Sequence, residues 1–490
     1  MPTTTAALQR CTDPRCGATY PISDTLVACR SCGNLLDVHY TFAGDVRGPL
    51  GSIAHTPRFD YGNPDSSGVW RFRRLMPFFS SPEEIATIGE GRTVLQRADL
   101  LGAQLGFAAS GRAGGGLYLQ YEGLNPSGSF KDNGMTAAFT HARMVGAKVC
   151  ACASTGNTSA SMAVYAAQVG MKAVVFIGDG KIAYGKLAQA LDYGALTLQV
   201  AGDFDACLAR VRHIAENIPK AGVYLMNSVN PFRLEGQKSV MYRVMEGLDW
   251  KVPDWVIVPG GNLGNCSAFG KAFMELLALG IVDRVPRLAV VNATGARTLD
   301  TVYNTLGVRW NGGAYFHDGG AAKVEQEYAR MDTAGERAST IATAIEINRP
   351  VNLTKALRAL EVMDGRGTSA HDPSGGVVRA VDDDTIRHYK AMVGAFGFGC
   401  EPASAASVAG AHMLLQQGLI RPDQTVACIL TGHALKDPDI TVGYHTGLTT
   451  KAAPQPLPAN RPDGAWANPP VKVADNLEAI LTAMGVGPTP

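Results

Sequence analysis

The sequence predicts an α/β protein built on two mainly parallel sheets, preceded by a small cysteine-bearing segment. Three observations carry that prediction. From about residue 115 to 440, short apolar or β-branched runs alternate with Ala-rich helical stretches, the pattern of strand–helix units around parallel sheets. The runs are apolar at nearly every position, as strands covered on both faces must be. At roughly 150 residues per domain, 490 residues make two or three domains with ample core.

The first 40 residues carry four of the ten cysteines, in two Gly-bearing turns followed by an alternating apolar strand. The segment resembles a small zinc ribbon, because tetrahedral Zn²⁺ takes four soft or nitrogen ligands from paired turns. Cys29-x2-Cys32 has standard spacing, and Cys11-x4-Cys16 sits at the wide limit. The alternative is a ribbon-shaped remnant without metal. Arg15 and Arg30 are its only Lys or Arg residues between Cys11 and Tyr40, which disfavours a nucleic-acid role. Ten cysteines are too few for a disulfide scaffold. Cys150, Cys152, Cys207, Cys266, Cys400 and Cys428 stand among apolar or small residues and read as buried, inert thiols.

Residues 41–90 form a Gly- and Pro-punctuated connection that includes WRFRRLMPFF from Trp70. Strands are then expected at 117–121, 148–154, 173–177, 255–260, 287–295 and 425–432. Residues 41–122 with 224–450 are assigned to a large domain, and 123–223 to a smaller, mobile one inserted in it. Residues 451–490 are a Pro-rich strap ending in a short helix, about 473–485, available to dock back. No repeat of solenoid period is present.

Composition excludes several function classes. Forty-four Lys plus Arg against 43 Asp plus Glu leave a net charge of +1, with no electrostatic reason for nucleic acid or anionic membrane as a partner. No stretch reaches the 18 or so apolar residues of a membrane span, and the start has no secretory pattern, so cytoplasm is expected. His141, His213, His388 and His412 lack ligand spacing, which leaves a catalytic zinc or a Ser/His/Asp hydrolase unsupported. His433 reads as structural, and Asp382-Asp383-Asp384 as a helix start.

Three motifs carry chemistry. In SGSFKDNGMT (127–136), Lys131 sits where a polar turn enters a helix. The positive end of a helix dipole and partial burial beside Phe130 would lower an amine's pKa and make it nucleophilic. In PGGNLGN (259–265), a Gly-rich turn between a strand and a helix offers several N–H groups to a phosphate. The order is not G-x-G-x-x-G, and the next strand ends in Asn292 instead of an acidic residue, which disfavours a dinucleotide. GKIAYGKL from Gly180 has P-loop-like spacing, but Leu187 replaces the Ser or Thr that Mg²⁺ needs, which disfavours ATP. In ASTGNTSAS (153–161), hydroxyls and N–H groups could take a carboxylate, although a simple N-cap is the commoner use of such residues. One phosphate site with a separate reactive lysine meets the requirement of pyridoxal 5′-phosphate.

Together SFKDNGMT, STGNTSAS, NPFRLEGQKS (230–239), VPDWVIVPGGNLGN (252–265) and TGHALKDP (431–438) resemble the threonine synthase family, fold-type-II pyridoxal-phosphate enzymes related in fold to the tryptophan synthase β chain. The motifs follow the family's order over about 300 residues, and the cysteine ribbon is similar to that of some bacterial and archaeal members. The resemblance implies that Lys131 holds the cofactor and shuttles protons, Phe130 packs near its ring, and Asn157 meets its 3′-oxygen. Gly260, Gly261, Asn262, Leu263, Gly264 and Asn265 would cradle its phosphate. Thr431 would face the pyridine nitrogen, where a neutral hydroxyl, unlike an Asp, does not force protonation. Ser154, Thr155 and Asn157 would lie at the substrate α-carboxylate, and Thr158, Ser228, Arg233 and Asn262 at the phosphate of O-phospho-L-homoserine. The implied reaction is γ-elimination of phosphate followed by water addition at Cβ, giving L-threonine. The working state would be a cytoplasmic homodimer.

Two departures leave the substrate entrance open. Residues 89–95 read GEGRTVL where GEGxTPL is usual, and 177–191 carry Gly178-Asp179 where a Pro is expected. A related lyase or β-replacing enzyme, such as a threonine or diaminopropionate deaminase or a cysteate- or cysteine-synthase-like protein, is the alternative. A catalytically silent binding protein is the reading from another class. EPASAAS (401–407) reads equally as a capped helix start or as a cofactor contact.

Overall fold

Strands that are apolar on both faces need helices on both sides, and the chain builds two such layered sheets. The computed structural model describes residues 6–42, 63–108, 115–178, 184–201, 204–365, 375–447 and 466–485. In chain order the strands are β1 (Ala6–Cys11), β2 (Thr19–Pro21), β3 (Leu36–Thr41), β4 (Leu95–Arg97), β5 (Gly116–Tyr121), β6 (Val149–Ala153), β7 (Lys172–Gly178), β8 (Leu196–Val200), β9 (Val223–Leu225), β10 (Trp255–Pro259), β11 (Arg287–Ala293), β12 (Val377–Val381) and β13 (Thr425–Leu430).

The larger sheet has the order β12-β11-β10-β13-β5-β4 and is parallel except for β4. The second, β8-β7-β6-β9, is parallel throughout. A three-stranded antiparallel sheet, β2-β1-β3, forms the cysteine segment. All six expected strand runs are present. The sequence reading passed over β4, β8, β9 and β12. All four lie at sheet edges, and β4 and β9 have only three residues each, so none carries a long apolar run.

Helices Lys131–Met144 and Pro231–Gly247 pack with their backbones in contact. A Cβ on Gly236 would lie 1.8 Å from the Asn133 carbonyl oxygen, and one on Gly134 would lie 3.0 Å from that of Arg233. Only glycine permits this approach, which sets Lys131 and Arg233 in a fixed relation. The second of these helices is buried over nearly its whole length, and its charges other than that of Arg233 are paired. Glu235 lies 2.7 Å from Lys238 and 2.5 Å from Lys271, Glu275 bonds the same two lysines at 2.6 and 2.7 Å, and Tyr40 on β3 donates to Glu235 at 2.8 Å.

The cysteine segment is anchored by charge. Asp37 on β3 pairs with Lys355 at 2.9 Å and Arg358 at 2.6 Å, both on helix Leu353–Val362. Burial opposes the charge on Asp37, but Arg358 and Lys355 outweigh it and hold the carboxyl well below its usual range. His317 meets Asp13 at 3.0 Å from the other side.

At the far end, helix Leu477–Ala483 forms with no buried residue, so it does not dock on the described surface; Leu477 is 72% exposed. The strap touches the body instead through Trp466, whose ring centroid is 5.5 Å from that of Phe396, and through the Asn468 N–H, which donates to His445. Most of 451–470 lies outside the described residues, as do residues 180–183 of GKIAYGKL. Among the described residues no helix is long and apolar enough to cross a membrane.

Candidate active site

Strand β10 runs into a tight loop at 260–263 and then into helix Gly264–Ala278. A Cβ at Gly260 would meet the Asn292 amide and Val290 at 2.7 Å, and one at Gly261 would meet the Ile345 backbone at 2.9 Å. Leu263 adopts the left-handed conformation (φ 63°) that turns the chain into the helix. The Gly260 N–H is spent on the Val291 carbonyl at 2.7 Å, so of the predicted cradle it does not serve a phosphate; the N–H groups offered at the helix start are those that follow it, the arrangement an anion needs. Asn265, one residue into the helix, is 5% exposed, and both atoms of its amide are buried without a hydrogen-bond partner among the described residues. Asn352 braces the loop from below: its backbone and side-chain N–H groups both donate to the Asn262 carbonyl at 3.3 Å, and its amide also reaches the Ser228 carbonyl at 3.1 Å. Sequence reasoning missed Asn352, since an isolated Asn before a helix has no signature beyond a cap.

The turn that delivers Lys131 is pinned to the end of β13. Phe130 N–H donates to the Thr431 carbonyl and His433 N–H to the Gly128 carbonyl, both at 2.9 Å. Lys131 is the first residue of its helix, half-buried, with Nζ 4.2 Å from the Phe130 ring centroid. Its neighbour Asp132 is fully buried and accepts from Ser127 N–H (2.7 Å), Ser127 Oγ (2.6 Å) and Ser161 Oγ (2.5 Å). Burial pushes the Asp132 carboxyl up to about 6, although the Ser127 and Ser161 donors pull it down. His433 closes its own turn, with Nδ1 accepting from Leu435 N–H at 3.2 Å, which is the structural role expected of it.

From the other sheet, β6 ends in the Ser154–Asn157 turn, and Asn157 opens helix Asn157–Val169. Asn227 clamps the strand end by exchanging two 3.0 Å bonds with Ala153. Ser154 Oγ accepts from Gly156 N–H at 3.0 Å; Thr155 and Thr158 are half-buried around the same turn. Asn157 donates to both oxygens of Glu401, at 3.1 and 3.0 Å, and Thr431 Oγ1 lies 3.3 Å from the same carboxylate. Glu401 therefore gathers one residue from each sheet. EPASAAS does start a helix, Pro402–Gln416, but the Glu401 side chain makes no cap bond and turns to Asn157 and Thr431 instead.

Arg233 is 1% exposed. Its Nη1 donates to the Met226 carbonyl at 2.8 Å, while Nε and Nη2 are buried without a partner among the described residues. Burial lowers its pKa to about 10, which leaves it charged at neutral pH. An unpaired buried guanidinium is costly, and an anionic ligand relieves that cost.

These features fit the expected cofactor. Glycine N–H groups and an unpartnered Asn265 amide suit its phosphate, Lys131 its aldehyde carbon, and the Thr431 hydroxyl and Asn157 amide its ring. In the cysteine segment, the sulfurs of Cys11, Cys16, Cys29 and Cys32 all lie within 4.8 Å of one another, with pairs at 3.5 and 3.7 Å. A tetrahedron with Zn–S bonds of about 2.3 Å has edges of about 3.8 Å. The donor set fits that metal too. The six remaining cysteines are buried, as expected, and form no disulfide among the described residues.

The pattern of the family described as "Pyridoxal-phosphate dependent enzyme" matches residues 86–432. The threonine synthase of Methanocaldococcus jannaschii is 38% identical over 436 residues, 89% of this chain and 94% of its own. That of Mycobacterium leprae is 37% identical over 377 residues, 76% and 88% of the two chains. Among solved structures, Escherichia coli threonine synthase superposes with a TM-score of 0.61 over 95% of each chain at 17% identity, a likeness of fold.

A carboxyl whose folded pKa is raised favours the folded state while protonated, so its contribution is greatest below the unfolded value near 4 and declines as pH climbs to about 6. Asp132→Asn removes that decline. The stability difference, variant minus wild type, is expected to shift in the variant's favour by up to about 3 kcal/mol between pH 4 and 7 in urea titrations. Other carboxylates cancel in the difference.

Proposed function

This chain belongs to the threonine synthase family of pyridoxal-phosphate dependent enzymes, and we propose that it converts O-phospho-L-homoserine and water to L-threonine and inorganic phosphate. The observation that carries the reading is the buried guanidinium of Arg233. Two of its donors have no partner among the described residues, and a deaminase whose leaving group is water or ammonia has no use for them.

Bound pyridoxal phosphate supplies an electron sink joined to the substrate's Cα. Lys131 removes the proton at Cα and later moves one at Cβ. Ser154, Thr155 and the Asn157 region receive the α-carboxylate. Arg233, with Thr158, Ser228 and Asn262, holds the substrate phosphate, since a guanidinium fork pairs bidentately with such a dianion. The same group retains the phosphate after it leaves, where it positions the water that adds at Cβ. Water must be kept from the earlier stages, a task for the second sheet and its helices closing over the glycine loop. Cys11, Cys16, Cys29 and Cys32 hold a structural zinc. On the resemblance alone, the working state is a cytoplasmic homodimer.

Purified protein supplied with cofactor is expected to show a visible absorbance band that Lys131→Ala abolishes, and to release phosphate from O-phosphohomoserine in a coupled assay. Absence of phosphate release, with 2-oxobutyrate formed from threonine, selects the deaminase reading; colourless wild type selects a binding protein. Arg233→Lys is expected to lower kcat/KM for O-phosphohomoserine about 10- to 100-fold while the absorbance band stays, because only the substrate loses its bidentate partner. Elemental analysis is expected to find one zinc per chain, lost in Cys29→Ser; metal-free, stable wild type sinks the zinc assignment.

A further inference from the structure

We infer that Glu401 is a positioning residue that fixes the direction of the hydrogen bonds around Thr431, making that hydroxyl an acceptor toward the cofactor's pyridine nitrogen and so favouring a protonated ring. The inference rests on the proposed placement of Thr431 at that nitrogen.

The direction follows from groups that can act in only one way. Gly432 N–H can only donate, and it donates to Ser404 Oγ at 3.0 Å. Ser404 Oγ lies 3.0 Å from Thr431 Oγ1, and with the Thr431 proton directed to Glu401 the Ser404 hydroxyl is the donor between them. At the far end, the Asn157 amide nitrogen can only donate and lies within 3.1 Å of both Glu401 oxygens, so both accept. An ionised carboxylate has no proton to give, so the Thr431 hydroxyl donates to Glu401 Oε1 at 3.3 Å. With its proton given away and one lone pair taken by Ser404, Thr431 has a single lone pair left. A ring nitrogen facing it must bring its own proton.

The arrangement is built into the backbone. Glu401 is fully buried, and its N–H donates to the Gly432 carbonyl at 3.0 Å. A Cβ on Gly432 would lie 2.4 Å from the Glu401 carboxylate, so glycine there is what admits it. This goes further than the expectation from sequence, in which a neutral hydroxyl does not force protonation. A protonated ring is the stronger electron sink, suited to removing protons at both Cα and Cβ.

The test is ¹⁵N NMR of holoenzyme loaded with ring-¹⁵N pyridoxal phosphate, with circular dichroism and cofactor absorbance confirming that each variant is folded and loaded. Wild type is expected to show the upfield signal of a protonated ring. Glu401→Gln, whose amide can donate to Thr431 and reverse the chain, is expected to move the signal downfield, and Glu401→Asp to keep it upfield. A downfield wild-type signal overturns the inference outright, even if the Gln variant fails to fold. If Thr431→Ala moves the signal but Glu401→Gln does not, the inference fails while the placement of Thr431 stands. If Thr431→Ala leaves the signal where it was, the placement itself is wrong.

Discussion

The contact on which the site depends is the close approach of two helix backbones, at Gly236 against the Asn133 carbonyl. One helix begins with Lys131, and the other carries Arg233 in its first turn. Because the backbones touch, neither helix can slide without a clash, and the amine and the guanidinium keep their spacing. Each helix start is then tied to a strand end, Lys131 through Phe130 to Thr431 and Arg233 through its bond to Met226 beyond β9. A site assembled from two sheets thereby acquires the rigidity that catalytic positioning requires.

Around that contact the molecule buries an unusual amount of charge. Glu235, Lys238, Lys271 and Glu275 lie between helices, and Asp37, Lys355 and Arg358 between the cysteine segment and the body. Such clusters add little net stability compared with apolar packing, but they accept only one arrangement of partners. Here they register the helix that bears Arg233, the helix that follows the glycine loop, and strand β3 against one another.

The sheets were legible because buried parallel strands are continuous apolar runs, and the glycine loop, Lys131 and the Asn157 turn because each stands at a strand–helix junction with atypical residues. What escaped were residues whose importance arises only from distant partners. Asn352 is a lone Asn until folding brings it under Asn262, Asp132 is one more polar residue of SGSFKDNGMT until Ser161 arrives, and Glu401 reads equally as a cap or a cofactor contact until Asn157 meets it from the other sheet. Edge strands such as β12 and β8 were lost for a similar reason: their pairing is decided by neighbours, not by their own pattern.

The anchoring of β3 has a consequence for how freely this molecule could be cut down. A variant trimmed of residues 6–41 would strip Lys355 and Arg358 of their shared carboxylate, Lys355 of its bond to the Leu36 carbonyl, and the buried Glu235 of its phenolic donor. Orphaning a buried ion costs about 3–5 kcal/mol, a large fraction of a typical domain's margin. Lys355 also lies three residues after Asn352, so the damage would reach the floor of the glycine loop. The amino-terminal ribbon is thus no detachable accessory, and any attempt to minimise the enzyme has to begin at the other end.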